Sequence, residues 1–514
     1  MYKNKKPHVF WILVDSARNF ETEIDDRGLP KAVREMSDEF VYFKNVVTSA
    51  PSTIMSVSSI MTSKASYLHS RSYNNFPGIT HEFASLPEEL KNNGYNILGS
   101  IYFKHGREVL SDLFGRDINK YLSKKLRDKE IWTNVDVLAT FQNILRNKNW
   151  KKPSFTYLHF NVRVDDNISN ILRETRNALK SYNLWDDSLI IINSDHGYPM
   201  PSRGWNKAAA NKKGWSHDQL LYNDNILTPL LIKHPKLKAK CIDTYISTLD
   251  IAPTLMSIIG LKIPTRFSGI DLIPNLIDDT IDMTDRPIRT DNRFCGQSPQ
   301  GISIIKGDKK LIALIDDETG NQYELFDLTQ DPLEKNDLFE KDAFLGLRNE
   351  MLVVLEESEN EFMKFHESYL RERWKKHLNM IQPKAKVGVV ICSTRKMKSL
   401  VSDVLYQILP SDSAVYIIDE MDSLTPHFDN LIVIVESEIP WDYKQKYSKI
   451  LTSVSSNKIF FLDNNGNNLG RHPQLYLYRK FLKKRIQLLN WSPIQLISLF
   501  MRVIFKRTLK TVKA

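Results

Sequence analysis

Leu189-Ile190-Ile191-Ile192-Asn193-Ser194-Asp195-His196-Gly197 is the stretch that decides the fold. Four consecutive apolar residues, three of them β-branched, read as a strand buried on both faces. That is the pattern of parallel sheets whose two sides are covered by helices. The strand runs directly into a carboxylate, an imidazole and a glycine. Open α/β sheets bind ligands beyond the carboxyl ends of their strands. Asp with His suits a divalent cation of hard-to-borderline character, and Gly197 permits close backbone approach.

Outward from this point the same pattern recurs. Val9-Phe10-Trp11-Ile12-Leu13-Val14 ends in Asp15, which puts a second carboxylate at a strand end. Asn96–Ile101, Ser154–Phe160 and Pro229–Lys233 read as further buried strands. Helices are predicted over Asp165–Leu184 and over Asp250–Ile259, the latter with Pro253 near its first turn and Gly260 at its end. The expected fold class is α/β, a mostly parallel sheet flanked by helices over 1–284. Gly301–Lys306, Lys310–Ile315 and Glu324–Leu328, with turns at Gly307-Asp308 and Gly320-Asn321, predict a small antiparallel sheet. A charged helix over 341–381 completes a second segment, 285–383. Val387–Cys392, Ala414–Asp419, Leu431–Glu436 and Lys458–Asp463 predict a second small α/β unit over 384–463, with no nucleotide-binding glycine motif and no readable role.

The 514 residues exceed one ordinary core, and the composition, 42% hydrophobic and 26% charged, is that of a globular protein. The net charge of +10 is unevenly spread: the segment 464–514 carries eleven Lys and Arg and no acidic residue, so the body is near neutral. This excludes an enzyme with a basic nucleic-acid groove and predicts that the tail meets an anionic surface. Ser492-Pro493 is a helix start, and Gln495, Ser498, Arg502 and Lys506 form a polar stripe beside apolar residues. Such a helix suits a membrane interface or a docked position on the protein's own core. Three scattered cysteines predict reduced thiols. The short apolar run after Lys3, Lys5 and Lys6 has no cleavage site and reads as a first strand rather than a signal peptide. No stretch reaches the roughly 18–20 apolar residues of a membrane span. The expected location is the cytoplasm, peripheral at the inner face of the membrane.

Two further segments carry chemistry. Ser49-Ala50-Pro51-Ser52-Thr53-Ile54-Met55-Ser56-Val57 is rich in hydroxyls and becomes helical, and a hydroxyl at a helix N-terminus suits an anionic substrate. His217-Asp218-Gln219-Leu220-Leu221-Tyr222 is a polar loop leading into the strand at Pro229, and His217 could contact a transferred group.

These segments, in this order, resemble the sulfatase branch of the alkaline phosphatase superfamily over residues 7–340. Leu249-Asp250-Ile251-Ala252-Pro253-Thr254-Leu255 and Glu324-Leu325-Phe326-Asp327-Leu328 are similar to two further family segments. The resemblance implies an alkaline-phosphatase-like fold and one divalent cation (Mg, Mn, Ca or Zn) held by Asp15, Thr53, Asp195 and His196. Anchoring on Thr62 places Thr53 at the family's nucleophile position, with Ser49 and Ser52 as alternatives. Where typical sulfatases oxidise Cys or Ser to formylglycine, Thr would give a ketone. The implied mechanism is therefore that of a metal-activated alkoxide, as in the superfamily's phosphotransferases. Ser16 and Val57 depart from the family's Asp and Arg/His, and its Pro-His pair is missing after His159. His217, His69, His159 and Arg71, with Arg163, are the expected substrate contacts. The expected activity is hydrolysis or transfer of a phosphate or sulfate ester on a small molecule, a glycan or a lipid-linked precursor. The competing expectations are a true sulfatase and a scaffold without turnover.

Overall fold

The structure is a computed structural model that describes residues 6–19, 30–66, 85–102, 110–114, 133–162, 168–200, 219–278, 285–292, 300–315, 321–392, 404–417, 427–435 and 455–463. The tail 464–514 therefore lies outside the described residues. Two compact units divide the chain, Met1–His366 and Glu367–Ala514.

Among the described residues the main sheet of the first unit has eight strands: β1 Val9–Asp15, β2 Val41–Val47, β3 Asn96–Ile101, β4 Ser154–Asn161, β5 Leu189–Asn193, β6 Leu227–Lys233, β7 Lys240–Ile242 and β8 Ile246–Ser247. They are ordered β3-β4-β1-β5-β6-β2-β7, with β8 paired to β2. β1 lies between β4 and β5, parallel to both, with Asp15 opposite Asn161 and Leu13 opposite Asn193. Side chains on a strand alternate between faces, so β1 feeds two cores. Val9, Trp11 and Leu13 pack with Ile54, Val57 and Ile60 of α1 (Thr53–Thr62). Phe10, Ile12 and Val14 pack with Phe141 of α2 (Asn134–Asn147) and Leu172 of α3 (Ile168–Ser181).

The pairing departs from the sequence reading on one side. β6 runs antiparallel to β5 and to β2. The chain leaves β5 at Asn193 and returns through the short helix α4 (Asn223–Ile226) to the same edge. β2 escaped the sequence reading because exposed Lys44 and half-buried Asn45 interrupt its apolar residues, where its pairing with β6 slips between Phe43 and Val46. The helix read at Asp250–Ile259 forms as α5, Ile251–Ile258.

A second sheet in this unit is antiparallel, β12-β11-β10-β9, with β9 Ile288–Asp291, β10 Gln300–Lys306, β11 Lys309–Ile315 and β12 Gln322–Asp327. Gly307, at φ 60, supplies the left-handed residue of the two-residue hairpin between β10 and β11. The sheet packs Ile302, Ile304, Leu311 and Leu325 against Met351, Val354 and Leu355 of α6 (Leu345–Leu378).

In the second unit, β13 Lys386–Cys392, β14 Ala414–Ile417, β15 His427–Val435 and β16 Ser455–Asp463 form a parallel sheet in the order β14-β13-β15-β16. Among the described residues no helix is long and apolar enough to cross a membrane.

Candidate active site

The carboxyl ends of β1 and β5 are neighbours, so Asp15 and the segment Ser194–Gly197 converge at one sheet edge. Asp15, Asp195 and His196 are buried, and one potential ligand atom from each lies within 4.8 Å of the others. α1 begins at this point. Thr53 Oγ1 lies 3.3 Å from Asp15 Oδ2 and 3.1 Å from His196 Nε2. As the first residue of α1, it stands at the positive end of the helix dipole. Of the three hydroxyls considered as nucleophile, Thr53 touches the cluster. Ser49 is buried with no hydrogen-bond partner for its Oγ, and Ser52 sits at the N-cap without a side-chain capping bond.

The segment after β5 is bolted to its surroundings. Ser56 Oγ donates to Asp195 O (2.7 Å), and Ser194 Oγ donates to His196 O (2.7 Å). His196 Nδ1 is 2.8 Å from Gly197 O. A carbonyl only accepts, so Nδ1 carries the proton and the Nε2 lone pair faces Thr53. Gly197 N–H donates to Asn225 O and Tyr198 N–H to Asp224 O, both at 2.8 Å. The buried guanidinium of Arg18 donates to Tyr198 O and Pro199 O. The second sheet braces the other side: Thr290 Oγ1 donates to Thr48 O (2.6 Å) and Asp291 N–H to Ser49 O (3.0 Å), five and four residues ahead of Thr53.

Ser16, at φ 65, is one of five non-glycine residues with positive φ among the described residues. Its Oγ donates to Asp15 Oδ1 (2.6 Å) and its N–H to Asp195 Oδ1 (3.3 Å), so it ties the two carboxylates together. Val57, on α1 itself, is buried in the apolar core that Trp11 and Leu13 share.

Sequence reasoning missed Tyr102. Its OH donates to Asp15 Oδ2 (3.1 Å) and accepts from Asn161 Nδ2 (2.7 Å). Nothing in the linear sequence marks it; the contact arises because β3, one strand removed from β1 across β4, ends at the same edge. His159, expected at the substrate, is fully buried, with Nε2 3.4 Å from Asp15 Oδ2 and Nδ1 3.1 Å from Tyr157 OH. His217, His69, Arg71 and Arg163 lie outside the described residues.

Burial opposes charge on Asp15, but the His159 hydrogen bond, the charge the His196 and His159 rings carry when protonated, and the Ser16 hydroxyl outweigh it and hold the carboxyl well below its usual range. Burial and the neighbouring Asp15 charge push Asp195 upward. Burial, then the Asp15 charge, drives the Tyr102 phenol well above its ordinary value, which keeps it a neutral donor.

The chain matches the sulfatase family over residues 7–163 and 140–261, and the C-terminal region of N-sulphoglucosamine sulphohydrolase over residues 211–361. The chain belongs to the sulfatase family. Among curated sulfatase relatives, N-acetylglucosamine-6-O-sulfatase of Bacteroides thetaiotaomicron is 25% identical over 270 residues, 50% of this chain and 46% of that protein. Human N-sulphoglucosamine sulphohydrolase is 29% identical over 126 residues, 22% of each chain. This chain thus matches less than half the length of these relatives. A solved structure in complex with its substrate D-glucosamine-2-N,6-O-disulfate shares the fold at TM-score 0.56 and 14% identity, covering 70% of this chain and 98% of that one. The phosphonate monoester hydrolase of Agrobacterium radiobacter does so at TM-score 0.51 and 14% identity, covering 69% of this chain and 96% of that one.

Proposed function

We propose that this sulfatase-family chain is a metal-dependent enzyme that hydrolyses or transfers a sulfate or phosphate ester borne by a sugar, with Thr53 as nucleophile. The observation that carries the reading is the hydroxyl of Thr53 in reach of both Asp15 and His196 at a helix N-terminus. The donor set fits a divalent cation: two buried carboxylates, one imidazole with its Nε2 lone pair inward, and Asp195 Oδ2 buried without a hydrogen-bond partner. A buried unpaired carboxylate oxygen is costly unless a cation meets it. Asp15, Asp195, His196 and Thr53 would hold the ion, which supplies Lewis-acid stabilisation of developing negative charge and favours the alkoxide.

The chain's own groups do the rest. Asp15 Oδ2 is the acceptor within reach of the Thr53 proton that would remain once the ion took the single Nε2 lone pair of His196. Thr53 Oγ passes its proton to Asp15 Oδ2 and attacks the ester sulfur or phosphorus; the bond to the sugar oxygen breaks, and the leaving alkoxide takes a proton from solvent water. Water, or an acceptor hydroxyl, then attacks the same centre and releases Thr53. Attack through oxygen needs no oxidation of the side chain. The names of the relatives support a sulfated aminosugar as the substrate class. The basic segment 464–514 supports attachment to an anionic membrane; a chain ended near Asn464 that binds anionic vesicles as tightly as the full chain would remove that part.

The test is turnover of aryl sulfate and aryl phosphate by wild type, Thr53→Ala and Thr53→Ser with each of Mg, Mn, Ca and Zn. Thr53→Ala is expected to lose at least about 10³-fold in kcat, with Thr53→Ser retaining part. Full turnover in Thr53→Ala would move the nucleophile to Ser49 or Ser52. A folded wild type with neither turnover nor bound metal would favour a scaffold.

A further inference from the structure

Lys310 of β11 and Glu334 form an ion pair with no solvent exposure of either side chain. Two charges removed from water gain little net stability from each other, so such a pair is better explained by what it holds in place. It holds Asn223. Lys310 Nζ donates to Asn223 Oδ1 (2.9 Å), and Glu334 Oε2 accepts from Asn223 N–H (2.6 Å). The first residue of α4 is thus gripped by both its side chain and its backbone. Tyr222, one residue earlier, donates to Glu324 of β12 (2.8 Å). Glu334 itself sits at φ 52, a left-handed conformation that side-chain-bearing residues keep only where the surroundings impose it.

The turn so held carries the carbonyls that bind Gly197 and Tyr198. A Cβ on Gly197 would lie 2.3 Å from Asp224 O, so the turn and the Gly197 backbone are in direct contact. Gly197 O in turn receives the His196 Nδ1 proton. The path from Glu334 to the His196 ring is therefore three hydrogen-bonded steps through one rigid turn. We infer that Lys310 and Glu334 are positioning residues: through Asn223 and Gly197 they fix the tautomer and direction of the His196 imidazole. The second sheet thereby sets the site on the first.

The metal readout of this inference rests on the proposed role of His196; the tautomer readout does not. The experiment uses the full chain as wild type, Glu334→Gln, the apolar pair Lys310→Met with Glu334→Leu, Asp327→Asn and His196→Ala. Asp327 pairs Lys309 on the same sheet, and its carboxylate also accepts from Thr329 and Gln330 N–H, none of these partners being in the turn at Asn223. Circular dichroism selects variants that are folded at the assay temperature, and the apolar pair serves if Glu334→Gln does not fold, because it leaves no unpaired buried charge. Mn and Zn are titrated calorimetrically, and the imidazole nitrogens of 15N-histidine-labelled protein are assigned by the signal lost in His196→Ala. The expected result is a drop of about 10- to 100-fold in divalent affinity in folded Glu334 variants, with a mixed His196 tautomer. Asp327→Asn is expected to match wild type. A folded Glu334 variant that binds within twofold of wild type and keeps the single Nδ1–H tautomer overturns the inference. If the wild type binds neither ion, or His196→Ala binds as well as it, the metal reading fails instead, and the tautomer alone then decides: an unchanged ring refutes, a mixed one supports.

Discussion

Gly197→Ala is the substitution for which the structure gives the clearest size of effect. The added methyl carbon would lie 2.3 Å from Asp224 O and 3.2 Å from Asn225 Cα, both backbone atoms that cannot rotate away. Ordinary van der Waals separation requires the turn to retreat by about 1 Å. The two 2.8 Å hydrogen bonds crossing that contact, Gly197 N–H to Asn225 O and Tyr198 N–H to Asp224 O, are then stretched or lost. A net worth of about 1 kcal/mol each, plus about 1–3 kcal/mol for stranding a buried donor, suggests a loss of about 3 kcal/mol. With a melting entropy of about 2.1 cal/mol/K per residue over the unit Met1–His366, that lowers Tm by about 4 °C. The displaced backbone also carries His196, and a misplacement of about 1 Å in a catalytic group costs on the order of 10²-fold in rate. Scanning calorimetry and aryl-ester turnover on one preparation read both effects. A variant melting within about 1 °C of wild type would refute the contact. A destabilised variant with full turnover would refute the link to His196.

Three other outcomes follow from named contacts. Asp250 is fully buried and accepts from both terminal nitrogens of Arg286 and from the N–H groups of Ser247 and Ile270. Asp250→Ala leaves Arg286 without its carboxylate and is expected to cost about 3–5 kcal/mol in urea unfolding; a loss under about 1 kcal/mol would contradict this. Burial, then Lys236 and Lys233, depresses His234 to about 4, and its Nδ1 accepts from Lys236 N–H. The unfolded chain takes up that proton near pH 6.5 and the folded one does not. Stability from this site is therefore complete above about pH 6.5 and is lost as pH falls toward 4, by about 2 kcal/mol after allowance for solvent access. The wild-type profile should drop through that window relative to His234→Gln; parallel profiles would disprove the assignment. Chelation with EDTA should lower the wild-type melting point, since a ligand at a hundred times its Kd contributes about 2.7 kcal/mol. Asp195→Asn should show no EDTA response, and equal responses would place the ion elsewhere.

The parts of the fold legible in the sequence are those where one residue class fills a whole element. β1 and β5 are unbroken apolar runs, and Asp15, Asp195 and His196 follow them directly, so the edge they share could be read from pattern alone. In the second unit the apolar parts of the strands were legible for the same reason, while the polar starts of β15 at His427 and of β16 at Ser455 were not. β2 was not, because Lys44 and Asn45 break its run where it bulges. β9, at four residues, was too short to announce itself, although Thr290 and Asp291 brace the segment leading to Thr53. The antiparallel course of β6 depends on the return path through α4, which local pattern does not encode. Tyr102 reaches Asp15 through tertiary adjacency of β1, β3 and β4. Ser16, read as the loss of a carboxylate, turns out to bridge Asp15 and Asp195.

The bracing of this site from the second sheet bears on how the gene can be cut and recombined. A boundary drawn at residue 284 follows the change in sequence pattern, yet it severs Thr290 from Thr48 and the Lys310–Glu334 pair from Asn223. A fragment ending there would keep Asp15, Thr53, Asp195 and His196 while losing the scaffolding of the two loops that aim them. The compact unit Met1–His366 holds both sheets, and a chimera joined between Asn223 and Glu334 parts the turn beside Gly197 from the residues that hold it.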